Sequence, residues 1–218
     1  MTTPSPPSRS DRPTFDATLF PVIGFTLGYL AVATYYAGSQ KNWEFVLYIG
    51  VVGALGLAVL AIHRRVQFSM ATLWLLSGWG LAHMAGGLLY IPESWPIHGD
   101  QHVLYNLWVL PGFLKFDQVV HAYGFGVTTW VCWQSWEVLL ERQGARLEAS
   151  WGALALVAAA GMGFGALNEV IEFATTLTLP ETNVGGYYNT GWDLVANLVG
   201  VSLAAVLIRT GMLKRSRR

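Results

Sequence analysis

Six segments of this chain are long enough, at about 17–25 mostly apolar residues, to span a hydrocarbon core of about 30 Å. They run from Leu19 to Ala37, Trp43 to Ile62, Met70 to Ile91, Asp117 to Leu140, Trp151 to Leu179 and Gly191 to Leu213. Lipid offers no water to a free backbone amide, so such segments fold as helices that pack on one another. Aromatic rings such as Tyr35, Trp43, Tyr90, Trp151 and Trp192 stand near their ends, where amphipathic side chains favour the interface. Only 12% of the residues are charged, half the roughly 25% of a soluble domain. The expected fold class is all-α: a polytopic membrane helix bundle of six transmembrane helices forming one domain over residues 17–213.

The distribution of charge sets the expected orientation. The formal net charge is zero, so the total points to no acidic partner, and nucleic acid is not expected. One side of the six-helix layout collects Arg9, Arg12, Arg64, Arg65, Arg142, Arg146, Arg209, Lys214, Arg215, Arg217 and Arg218, and the other has only Lys41 and Lys115. By the positive-inside rule both termini are cytoplasmic. Residues 1–16, rich in Pro, Ser and Thr, read as a disordered tail, and residues 214–218 as a short basic one. The 92–116 connection is then external, and its apolar piece Val103–Leu114 is expected as a short interfacial or re-entrant helix. Cys132 is the only cysteine, so no intrachain disulfide forms.

Polar residues inside such segments are the candidates for function. In the fifth segment Gly161, Gly165, Asn168, Glu169 and Glu172 follow i, i+4, i+7, i+8 and i+11, a single helical stripe. Its glycines admit a neighbouring helix closely. Asp117, His121, Gly124 and Thr128 make a similar stripe, as do Asp193, Asn197, Gly200 and Ala204, while Gly80, His83 and Gly87 share a face. At 1.5 Å per residue, His83 lies about 12 Å, Glu169 about 13 Å and Glu172 about 9 Å below the outer ends of their helices. Asp117, His121, Asp193 and Asn197 fall in the first turns of helices that start outside. Four helices thus deliver polar groups to one depth, and the expectation is a single pocket.

Asp117, Glu169, Glu172 and Asp193 would bring four negative charges together. With Lys41 and Lys115 read as rim residues, no basic side chain balances them, and burying like charges costs several kcal/mol unless something neutralises them. Protonated carboxylates, protonated His83 and His121, or a bound cation would serve. Two imidazoles with four carboxylates form a mixed N/O set suited to Zn, Mn or Fe. A lone Asp or His at a helix mouth also serves as a cap, and Asn168 and Asn197 can bond across helices as supporting polar groups. His98, Asp100 and His102 in the external loop read equally as a lid, as extra ligands or as ordinary loop polarity.

At these residues the chain resembles the VanZ-like membrane protein superfamily, and more closely its YjdF-like branch of bacterial inner-membrane proteins. The VanZ-like pattern Asp-Lys-x-x-His, Glu-x-x-Gln and Asp-x-x-x-Asn-x-x-Gly is matched by Asp117 to His121, Glu169 to Glu172, and Asp193, Asn197 and Gly200. His83, Gly86 and Gly87 reproduce the branch's His-x-x-Gly-Gly element. Gln118 replaces the pattern's lysine and Glu172 its glutamine, which deepens the negative excess. The resemblance implies a multi-pass protein of the bacterial cytoplasmic (inner) membrane and names no substrate.

The expected function is a metal-dependent enzyme acting on a lipid or lipid-linked envelope substrate, with membrane lipids as its surroundings. His83, Asp117, His121 and Glu169 would hold the divalent metal ion. Glu172 or Asp193 would be the general base. A proton- or cation-coupled transporter is the alternative, though the inner halves offer little polarity beyond Thr128 and Thr129. A non-catalytic membrane subunit, its cluster only fastening helices, is the third reading.

Overall fold

The computed structural model describes residues 17–215, so the expected tail at 1–16 and the last three residues lie outside the described residues. A 3-10 turn leads into α1 (Phe20–Ser39), followed by α2 (Trp43–Val66), α3 (Met70–Leu88), α4 (Phe116–Arg142), α5 (Trp151–Thr178) and α6 (Tyr187–Arg209). Local chemistry explains most of the starts. Pro21 stands in the first turn of α1, where its missing N–H costs nothing. Asn42, Ser69 and Ser150 accept from the backbone N–H three residues on, at 3.1, 3.1 and 3.3 Å, caps worth about 1 kcal/mol each.

Consecutive helices run in alternating directions, and apolar clusters tie their ends. At one end Ala33 and Ala37 of α1 pack with Phe45, Tyr48 and Val52 of α2 and with Met84 and Leu88 of α3. At the other, Leu19 and Val22 meet Val66, Phe68, Leu73 and Val138. Basic residues gather at this second end. Arg142 donates to the Arg65 carbonyl at 2.5 Å, and Arg215 to the Glu141 carboxylate at 2.9 Å. Four helices, α1, α2, α5 and α6, are long and apolar enough to cross a membrane. Of the other two, α3 is rich in Gly and Trp and α4 in polar residues; α4 sits centrally, against α2, α3, α5 and α6.

The small-residue stripes set how closely α4, α5 and α6 approach. A Cβ on Gly126 would lie 3.1 Å from the Gly200 carbonyl oxygen, and one on Gly200 would collide with the Ala122 carbonyl. Helices α4 and α6 therefore touch backbone to backbone. On α5, Gly161 faces Thr129 and Val201, and Gly165 faces Asn197, whose Nδ2 would be 2.7 Å from an added Cβ. This packing puts Asn197, His121 and Glu169 at one level.

The 92–116 connection departs from expectation. In place of an interfacial or re-entrant helix there is one 3-10 turn, Leu104–Asn106, and an antiparallel hairpin of β1 (Trp108–Leu110) and β2 (Leu114–Lys115). Trp108, Val109 and Leu110 favour extended backbone, and Pro111-Gly112 turns the chain, with Gly112 at φ +71°, a conformation glycine adopts without penalty. Bridges Tyr90 to Val103 and Ile97 to Leu107 hold the connection down.

Candidate functional site

His121, buried in α4, is the centre of the site. Its Nδ1 lies 3.1 Å from Asn197 Oδ1 on α6 and 3.7 Å from Glu169 Oε1 on α5. Its Nε2 lies 3.7 Å from Asp117 Oδ1, one turn up its own helix. An imidazole donating from Nδ1 to Asn197 turns the Nε2 lone pair toward a carboxylate. Two acceptors then face each other, and a proton or a cation must stand between them.

Two sets of donors meet at this ring. One atom each from Asp117, His121 and Asp193 lie within 4.8 Å of one another, and so do atoms from His121, Glu169 and Glu172. Asp193 is 0% exposed; its Oδ2 accepts from Asn189 Nδ2 at 2.5 Å and its Oδ1 has no hydrogen-bond partner among the described residues. Neither Glu169 oxygen has one among them either, although that side chain is only 8% exposed. Asn168, expected to support the site across helices, bonds along its own: its Nδ2 donates to Glu172 Oε1 at 2.8 Å and orients that carboxylate. Asn197 does reach across, and its Nδ2 is left without a partner.

His83, expected as a ligand, stands in neither set. Its Nδ1 shares a hydrogen bond with the Tyr105 hydroxyl, and its ring stacks on Trp79 with centroids 5.5 Å apart. The reason is the direction of its face. Gly80 and Gly87 on the same stripe receive Tyr29 of α1 and Phe45 of α2, so the face looks toward the first two helices. Burial holds the Tyr105 phenol well above its ordinary pKa, so that partner is a neutral hydroxyl.

Lys115 is the residue sequence reasoning missed. Read as a rim cation, it is 5% exposed. Its Nζ is 3.5 Å from Asp117 Oδ2 and bonds Asn189 Oδ1, whose amide in turn serves Asp193. Gln118, which takes the place of the pattern's lysine, accepts from the Lys115 N–H at 2.9 Å and closes the start of α4. The countercharge is thus present, supplied from three residues earlier. The available signal was the lone lysine two residues before a membrane-embedded aspartate. Four carboxylates still face one ammonium. Removing a buried partner typically costs 3–5 kcal/mol. Lys115→Met should therefore unfold earlier on heating in chelator, and added divalent cation should restore more of the loss than in wild type.

A cavity of about 690 Å³ opens above the cluster, at the end opposite the arginines, with Asp117, Glu172, His83 and Lys115 among its lining residues. Glu44 and Tyr48 of α2 form one wall, and the 179–186 connection closes part of the mouth, pinned where Asn183 N donates to Glu44 Oε2 at 2.7 Å. His98 and Asp100 line the cavity, whereas His102 does not. None of the three joins a donor set.

A mostly helical chain, with four helices able to cross a membrane and an ionisable cluster packed among its helices, defines an integral membrane protein. It belongs to the family described as Predicted membrane protein (DUF2238), matched over residues 17–214, consistent with the YjdF-like likeness carried by His83, Gly86 and Gly87. No curated protein and no solved structure matches the chain.

Proposed function

We propose that this protein is a metal-dependent enzyme of the bacterial inner membrane, acting on a lipid or lipid-linked envelope substrate. In this reading all six helices span the bilayer, both termini are cytoplasmic, and the cavity faces outward. The gathering of arginines at the end away from the cavity supports that orientation. The VanZ-like likeness of the Asp117, Glu169 and Asp193 motifs belongs to the same proposal.

One observation carries it. The buried oxygens of Glu169 and Oδ1 of Asp193 lack hydrogen-bond partners beside an imidazole already shared by two carboxylate pairs. Unpaired buried acceptors are costly, and a divalent cation would satisfy several at once. Donors at about 2.1 Å from an ion can be at most about 4.2 Å apart; each set gathers within 4.8 Å, so its side chains would draw in slightly around one. Zn, Mn or Fe suits the N/O donor set, and a bound ion of this kind makes water acidic and polarises an ester or phosphoryl oxygen.

The chain's own residues would do the rest. Asp117, His121 and Asp193 would hold the ion, with Glu169 approaching His121 from its other side. Glu172, which lines the cavity and is oriented by Asn168, would take a proton from water. The water oxygen then bonds the acyl or phosphoryl centre, the bond to the leaving oxygen breaks, and that oxygen takes the proton. Transport is less well supported, because the Thr128 and Thr129 hydroxyls below the cluster bond their own helix carbonyls at 2.9 and 2.7 Å. The test is elemental analysis of protein purified without chelator. Near-stoichiometric Zn, Mn or Fe is expected. Folded wild-type protein that stays metal-free after incubation with all three would overturn the reading.

A further inference from the structure

The cavity carries charge of both signs on different walls. On the α2 side stand Glu44, 7% exposed, and Tyr48, 6% exposed. The Tyr48 hydroxyl stands among the Glu44 and Glu172 carboxylates. On the α4 side Lys115 lies against Asp117 and Asn189. Counted over the whole lining, Glu44, Asp100, Asp117 and Glu172 oppose the single Lys115. A ligand with only negative charge is therefore repelled by most of the wall, while one with an ammonium at one end and a phosphate at the other meets a partner at each. The rings of Tyr48, Tyr105, Trp108 and Trp192 also line the space, and aromatic faces attract ammonium groups.

Size and rim agree with a lipid headgroup. About 690 Å³ falls within the roughly 300–1,000 Å³ of small-molecule sites. At the mouth Phe113 and Tyr188 are 73% and 76% exposed, apolar surface on which acyl chains can lie while the headgroup enters. We propose that the cavity selects a zwitterionic, ethanolamine-type phospholipid headgroup, its ammonium held between Glu44 and Tyr48 and its phosphate against Lys115. This rests on the membrane-enzyme reading above and adds the substrate class.

The experiment is calorimetric titration of the purified protein in nonionic detergent with three probes: dihexanoyl phosphatidylethanolamine, dihexanoyl phosphatidylglycerol and free O-phosphoethanolamine. The ethanolamine lipid should bind about tenfold more tightly than the glycerol lipid, a gap of roughly 1.4 kcal/mol, and more tightly than the free headgroup. Glu44→Gln should erase most of that preference, and its amide oxygen can still accept from Asn183, so the wall is kept. Tyr48→Phe, which removes the hydroxyl beside the Glu44 and Glu172 carboxylates and keeps the ring, should lower the preference as well. Equal or tighter binding of the glycerol lipid, or a preference unchanged in both variants, would overturn the assignment. Equal binding of the free headgroup would overturn a membrane lipid as its source. Metal content measured on the same samples separates the two readings. Bound metal without headgroup preference sinks this inference alone, and preference in metal-free protein sinks the metal-enzyme reading alone.

Discussion

His121→Ala should lower the affinity for divalent metal by about a hundredfold or more, to the point where purified protein carries none. Loss of a residue that merely orients a ligand costs about 10–100-fold, and His121 belongs to both donor sets, so no complete set survives. Glu169→Ala breaks only the set with Glu172 and should leave weaker, residual binding. His83→Ala is the discriminating control. Its ring nitrogen is engaged by Tyr105 and it joins neither set, so metal content should stay at the wild-type level. Elemental analysis and competition with a chromogenic chelator read all three. Metal lost equally from the His83 and His121 variants would place the ion elsewhere in the cavity.

Gly200→Ala should be the most damaging single methyl in the bundle. An alanine inside a helix ordinarily gains about 0.5–1 kcal/mol over glycine. Here the added carbon would meet the Ala122 carbonyl, a backbone group that cannot rotate away, and overpacking of a tight contact costs about 1–3 kcal/mol or more. The clash wins. The melting temperature should fall by several degrees. Metal affinity should fall with it, because Ala122 adjoins His121 and Gly200 lies one turn below Asn197. Gly163→Ala, with nothing within 4 Å of its added carbon, should match or slightly exceed wild type. Equal melting temperatures for the two variants would mean that α4 and α6 are not in backbone contact.

The legible parts of this molecule are those governed by period. Stripes at i, i+4 and i+7 placed Asp117, His121, Glu169, Glu172 and Asp193 on faces that the structure turns toward one another, because small residues on the same stripes bring the helices close. His83 shows the limit of that logic. A face shared with glycines tells that a helix packs, not against which neighbour: Gly80 and Gly87 of α3 meet α1 and α2, while His83 between them lines the cavity outside both donor sets. Lys115 was illegible for another reason. It precedes α4, outside any period, and its side chain folds inward only because Asp117 and Asn189 receive it. Asn189 was hidden in turn, since α6 begins at Tyr187, one turn before its apolar pattern. The hairpin is signalled by Pro111-Gly112, which breaks the apolar run Val103–Leu114 expected as a helix.

The meeting of Gly126, Gly200 and Ala122 also constrains how the protein can move. Two helices in backbone contact neither slide nor roll past each other without separating, so α4 and α6 behave as one beam. At the far end Arg142 and Arg215 tie that beam to the last turn of α2 and the residues beside it. The opening turn of α2 is held differently: across the mouth the Asn183 N–H donates to Glu44 Oε2. Any opening of the entrance accordingly falls to the start of α2, about its arginine-clamped end, while Asp117, His121 and Asp193 on the beam stay still.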